Sequence, residues 1–336
     1  MEVRAKKALG QHFLTDLSIA HGIVDALQPA LAEGVANGEA SELVAGVAVE
    51  ARMGIRSNPS HRFAAGPSPC RQGGSRPSDA HIGFPDGNSP AKDNQGMLSQ
   101  PMPTLEIGPG MGVISQYLLE REDLDFKMIE IDRESVDYLL SHFPKAYGRV
   151  LEGDFLRVKL DALYPSGPFC IIGNFPYNIS SQIFFKILDY KDRIPQVVCM
   201  IQKEVAERIA EKPGSKTYGI LSVLLQAWYD IEYLFSVGSG AFAPPPKVQS
   251  AVIRLRRNSR TSLGCDEALF KSVVKTSFGQ RRKTLRNSLK PLIQTKASRE
   301  GWDTENTASF TSDPVFELRP ERLGVEDFIE LTRKLQ

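Results

Sequence analysis

The sequence predicts an α/β fold: a Rossmann-like domain built on a mostly parallel sheet, followed by a small helical C-terminal domain. Three observations carry this. Short apolar runs alternate with amphipathic stretches from Thr104 onward, a glycine-rich turn follows the first of those runs, and nothing after about Asn258 reads as a strand.

Residues 15–28, TDLSIAHGIVDALQ, read as a short helix. Thr15 or Asp16 can cap it, and Ile19, Ile23, Val24 and Leu27 form its apolar face. Composition then shifts. Between Ala30 and Pro103 stand 10 Gly, 8 Pro and 8 Ser, with Phe63 and Phe84 the only aromatics. Such a stretch buries too little apolar surface to offset its ordering entropy, so 30–103 is predicted to be a disordered insert, with a helical turn or two at most in 41–53. TLEI, FKMIEI, GRVLEG and PFCIIG read as strands, with helices at 112–122, 133–142 and 179–189 between them. PQVVCMIQ continues the sheet, and helices are expected at 203–211 and 218–228. IEYLFSVG and QSAVIRLRR read as two late strands separated by GSGAFAPPPKV. Residues 266–290 and 321–335 read as helices. The expected division is 1–256 for the α/β domain and 257–336 for the helical one.

Lys+Arg number 41 and Asp+Glu 40, so bulk charge says nothing about a polyanionic partner; only local clustering can. Cys70, Cys170, Cys199 and Cys265 form no CxxC pair, and the five histidines lack ligand spacing. No metal site or disulfide framework is expected, which fits a reducing compartment such as the cytoplasm. The start, MEVRAKKALGQHFL, has no apolar signal-peptide core, and no run of about 18 apolar residues predicts a membrane span.

Chemistry concentrates in three strand-end motifs. In LEIGPGMG, Gly108 and Gly110 let the backbone turn tightly and approach a ligand. Glu130 ends the next strand, where a carboxylate can accept both hydroxyls of a ribose. The pattern is GxGxG rather than GxGxxG, and no P-loop Lys-Ser/Thr follows. In EGDF, Asp154 can accept from an adenine amino group and Phe155 can pack on the purine. The third motif, Asn174-Phe175-Pro176-Tyr177, follows the fourth strand, so it falls at the ligand-binding end of an open sheet. An amine conjugated to a purine is a poor nucleophile. Asn174 Oδ1 and the Pro176 carbonyl can both accept its N–H groups and draw it toward tetrahedral geometry, while Tyr177 offers a stacking face. Residues alone therefore point only to an adenine in a structured nucleic acid.

The order GQHFL, EIGPGMG, IEID, GDF, NFPYNIS, FAPPPKVQS, FGQRRKTLRNSL resembles the KsgA family of ribosomal RNA small-subunit adenine-N6,N6-dimethyltransferases. The resemblance covers residues 4–28 and 104–336. It implies a class I fold using S-adenosyl-L-methionine (SAM) as methyl donor, held by His12, Leu14, Gly108, Gly110, Glu130, Asp154, Phe155 and Asn174. His12 stands where many relatives have Asn. Asn174, Pro176 and Tyr177 would handle the target adenine, with Phe242 stacking on its other face. The substrate implied is a pair of adjacent adenines in the 3′-terminal hairpin loop of small-subunit (16S) rRNA, within a pre-ribosomal particle, modified by a monomer. The departure from the family is the insert.

A basic run, Arg281, Arg282, Lys283 and Arg286, with Lys275 before it and Arg4, Lys6 and Lys7 at the other terminus, suggests a divided phosphate-binding surface on a neutral protein. Three rivals stay open: an Erm-type enzyme acting on large-subunit rRNA, a DNA adenine or protein-glutamine methyltransferase with a related Asn-Pro-Pro-Tyr motif, and a non-catalytic assembly or transcription factor that keeps the fold.

Overall fold

A computed structural model describes residues 6, 9, 11–28 and 100–336. The expected insert up to residue 99, with its helical piece at 41–53, lies outside the described residues. The insert's last residues do not belong to it. Strand β2 (Met102–Ile107) begins two residues earlier than the apolar run suggests. Pro103 disguised this boundary. It is tolerated because β5 joins β2 only from Thr104 onward, so the missing N–H costs no bond on that side.

The chain enters through β1 (Phe13–Leu14) and α1 (Leu17–Asp25), whose N-cap Asp16 accepts from the Ser18 N–H. After β2 come α2 (Ser115–Leu118), β3 (Leu124–Glu130), α3 (Arg133–His142), β4 (Val150–Glu152), α4 (Leu160–Leu163), β5 (Cys170–Asn174) and α5 (Ser180–Asp189). Then follow β6 (Gln196–Gln202), α6 (Lys203–Ala210), α7 (Ile220–Gln226), β7 (Tyr229–Val237), β8 (Phe242–Ala243) and β9 (Ser250–Arg257). The helix expected over 112–122 is a single turn, α2, flanked by non-helical turns.

The main sheet runs β4-β3-β2-β5-β6-β9-β7. The pairs from β4 to β6 are parallel, and β9 is antiparallel to both β6 and β7. Strand order therefore reverses between β2 and β5, which opens a crevice at their carboxyl ends. The central strands β5 and β6 are buried on both faces, which explains their near-continuous apolar sequences. Leu105, Ile171, Val197 and Cys199 pack on one side, while Cys170, Ile172, Val198 and Met200 pack on the other.

The helix expected over 266–290 is broken. It forms α8 (Glu267–Gly279) and α9 (Leu285–Ser288); Arg281, Arg282 and Lys283 of the basic run occupy the turn between them, and Arg286 lies in α9. Next come α10 (Lys290–Glu300), α11 (Thr304–Thr311) and α12 (Val325–Leu335). Phe270, Val273, Leu285, Phe316 and Phe328 of this helical segment join the buried cluster on one face of the sheet. No helix among the described residues is long and apolar enough to cross a membrane.

Candidate active site

A cleft opens at the carboxyl ends of β2, β3, β4 and β5. At one end the turn after β2 carries Gly108 and Gly110 at φ 67° and 56°, a region that side chains avoid. The Gly108 N–H donates to the Ile129 carbonyl (3.0 Å), which fixes the turn against β3. A Cβ on Gly110 would stand 3.1 Å from the Phe13 ring. Glu130 Oε2 accepts from the Gly110 N–H (3.0 Å) and Oε1 from the Asp132 N–H (2.9 Å). Burial raises its pKa above the ordinary carboxylate value, and these backbone donors oppose the rise. The twenty-residue spacing thus has a local physical meaning: the carboxylate ties the glycine turn to the end of β3. Each oxygen retains a lone pair for a ligand hydroxyl.

Asp154 Oδ1 accepts from the Leu156 N–H (2.9 Å), and Arg157 lies 3.3 Å from Oδ2. Phe155 lines the cleft but is nearly buried. Three residues that sequence reasoning missed stand here. Ile131 lines the cleft and is 52% exposed, an apolar face left open beside Glu130. Lys186 of α5 donates to the carbonyls of Phe155 and Val158 and clamps the loop that carries Asp154. Glu106 lies buried in the cleft wall and accepts from Ser115 Oγ (2.6 Å); burial pushes its carboxyl up to about 8. Glu106 and Ile131 lie within the motifs LEIGPGMG and IEID themselves, so a strand-end pattern could have found them. Lys186 carries no sequence signal.

At the other end, Asn174 closes β5. Its Nδ2 donates to the His12 carbonyl (3.3 Å), which leaves Oδ1 as the unengaged acceptor; no donor reaches it among the described residues. The Pro176 carbonyl accepts from the Ile179 N–H (3.2 Å) and keeps one lone pair. Tyr177 lies alongside His12, with ring centroids 5.6 Å apart and planes at 26°. His12 Nδ1 donates to the Pro244 carbonyl (2.9 Å). The device that brings His12 and Leu14 here is the antiparallel β1–β8 pair, in which Leu14 faces Phe242. Two-residue strands have no readable periodicity, so the sequence concealed it.

Phe242 departs from its expected role. It is 4% exposed, packs in the cluster with Leu14, Ile23 and Val252, and is not among the residues lining the cleft. Beside three prolines on a short paired strand, the ring anchors β8 to the core instead of offering a stacking face.

The basic residues are dispersed. Arg4 and Lys7 lie outside the described residues. Lys6 pairs with Asp132 (2.5 Å) and Glu134 (3.1 Å). Lys275 sits 4.6 Å over the Phe185 ring. Arg281 donates to the Ser215 carbonyl (3.2 Å), and Arg286 binds Glu317 (2.5 Å) and the Thr311 carbonyl (2.9 Å). Only Arg282 and Lys283 of the run are exposed with no ion-pair partner among the described residues.

The reversed strand order, the glycine turn tied to an acidic strand end, and an amide acceptor closing β5 together define a Rossmann-like methyltransferase. A sequence model of the ribosomal RNA adenine dimethylase family matches residues 94–308. The ribosomal RNA small subunit methyltransferase A of Parabacteroides distasonis is 61% identical over 231 residues, covering 69% of this chain and 82% of its own. The protein of that name from Porphyromonas gingivalis is 45% identical over 337 residues, covering 100% of this chain and 99% of its own. That alignment runs through 30–103, so the insert is shared. The crystal structure of a dimethyladenosine transferase from Plasmodium falciparum has the same fold, with a TM-score of 0.57 at 22% identity over 70% of this chain and 92% of its own. The chain belongs to the ribosomal RNA adenine dimethylase family.

Proposed function

We propose that this protein transfers methyl groups from SAM to the N6 amine of two adjacent adenines in the 3′-terminal hairpin loop of small-subunit rRNA, giving N6,N6-dimethyladenosine within a pre-ribosomal particle. The observation that carries the reading is Asn174: one N–H of its amide donates to the His12 carbonyl and so orients the group, leaving the carbonyl oxygen to accept from an amine in the cleft.

The cleft suits SAM in its chemistry. Its walls include Leu14, Ile107, Ile129, Ile131 and Phe155, with the carboxylates of Glu130 and Asp154 at one end. Glu130 would take the ribose hydroxyls, Asp154 the adenine amino group, and Ile131 and Phe155 the purine. Gly108 and Gly110 keep the backbone free of side chains beside the donor. His12 and Leu14 would close the near wall. When bound, SAM supplies an electrophilic methyl group.

This chain's residues prepare the nucleophile. Asn174 Oδ1 and the free lone pair of the Pro176 carbonyl accept the two N–H groups of the target amine. That pulls the nitrogen out of conjugation and exposes its lone pair. Positive charge grows on the nitrogen during transfer, so both acceptors bind the transition state more strongly than the ground state. The proton leaves afterwards, and no dedicated base is required. Tyr177 supplies the stacking face for a base removed from its helix. Phe242 serves indirectly, by holding the β1–β8 pair that positions His12.

Residues 257–336 would form the helical, rRNA-facing part, with Arg282 and Lys283 on phosphates, in a cytoplasmic enzyme acting as a monomer. The relatives named small subunit methyltransferase A support that substrate over large-subunit rRNA. The test offers methyl-labelled SAM with immature small subunits, large subunits or adenine-containing DNA. Label recovered as N6,N6-dimethyladenosine from small-subunit rRNA is expected. Label confined to large subunits or DNA supports the corresponding rival, and particle binding without label makes the protein a non-catalytic factor.

A further inference from the structure

We propose that Ser250 is a positioning residue whose hydroxyl fixes the ring of Tyr177 for stacking on the target base; the catalytic part of this rests on the reading above. Ser250 is fully buried at the first position of β9. It is registered against Gln202 of β6 on one side and Val237 of β7 on the other, so neither its backbone nor its direction is free. Its Oγ stands 2.5 Å from the Tyr177 hydroxyl, a contact between segments 73 residues apart.

Tyr177 needs such a partner. It lies beyond the end of β5, in the turn closed by the bond from the Ile179 N–H to the Pro176 carbonyl. That turn fixes the backbone and leaves the side-chain torsions free. A ring that stacks a base must hold one plane, and an unheld ring loses rotamer entropy on each binding event. The tether at the hydroxyl supplies the plane, and His12 bounds the ring alongside.

The same segment grips both rings. The Pro244 carbonyl holds His12 at Nδ1, and Ser250, six residues on, holds Tyr177. FAPPPKVQS thus contributes to the site although Phe242 itself is buried. Its prolines stiffen the link between the two grips.

The test is a double-mutant cycle of Ser250→Ala and Tyr177→Phe, read by single-turnover methylation of small-subunit particles at saturating SAM. Ser250→Ala should slow transfer about tenfold, since it removes one hydrogen bond and leaves a half-buried hydroxyl unpaired. Tyr177→Phe should cost about threefold, and the double variant should be no slower than Ser250→Ala. SAM affinity should hold in all three. A Ser250 that merely supports the sheet predicts effects that multiply in the double variant, and that result, or a wild-type rate for Ser250→Ala, overturns the proposal. NMR of selectively labelled tyrosine reads the ring without turnover: Tyr177 should flip faster in Ser250→Ala, and unchanged Tyr177 signals overturn the tether even if the proposed rRNA substrate proves wrong.

Discussion

The cleft and the basic run that leads from α8 into α9 use polar side chains in opposite ways. In the cleft, side chains are fixed by backbone groups close at hand: Glu130 by the amides of Gly110 and Asp132, Asp154 by Leu156, Asn174 by the His12 carbonyl. Each keeps an acceptor available. In the basic run, Arg281 and Arg286 spend their guanidinium groups on Ser215, Thr311 and Glu317, and only Arg282 and Lys283 have no ion-pair partner among the described residues. One region is preorganised to bind something else. The other is largely an internal brace, with Arg282 and Lys283 exposed at its surface.

The most damaging change to the backbone-built cleft should be Gly173→Ala. The added Cβ would lie 2.5 Å from the Ile107 carbonyl oxygen, so β2 and β5 would have to separate immediately below Asn174. Overpacking of this kind costs about 3 kcal/mol. A lower denaturant midpoint together with lost methylation is expected; an unchanged midpoint would mean that the strands yield easily.

Glu130→Ala comes next. It removes the proposed ribose acceptor and unties the glycine turn, so SAM affinity measured calorimetrically should fall about tenfold or more. An unchanged dissociation constant would reduce Glu130 to a structural tie.

The basic run divides into two smaller effects. Reversing Arg282 and Lys283 together should spare SAM affinity and flatten the salt dependence of particle binding by about two in log–log slope, roughly one for each phosphate no longer neutralised. Neutralising Arg281 and Arg286 should instead lower the melting temperature by a few degrees with little change in that slope. If the slopes respond the other way round, the division between brace and phosphate ligand is wrong.

This contrast also explains what the sequence revealed. The glycine turn and Glu130 were legible because their partners are backbone groups fixed by the strand-turn-helix pattern itself; Asn174 was legible from its place at the end of β5, although its partner, the His12 carbonyl, lies 162 residues away. The parallel sheet was legible because its central strands β5 and β6, buried on both faces, read as nearly continuous apolar runs. The basic run misled because its partners lie in distant segments, at Ser215, Thr311 and Glu317, which no local pattern predicts. Phe242 misled for a related reason. Its burial depends on pairing with Leu14, between two strands of two residues each. The broken helix at 280–284 and the early start of β2 at Met102 were hidden by a helix-like composition in one case and a proline in the other.

The central claim is that Asn174 acts on the transition state of methyl transfer. The direct measurement is the single-turnover methylation rate of Asn174→Ala on immature small subunits, with SAM and particle affinities determined on the same preparation. The account predicts a rate lower by about 100-fold, with both affinities within about threefold of wild type. Transfer at the wild-type rate, or a loss explained wholly by weaker SAM binding, would contradict it.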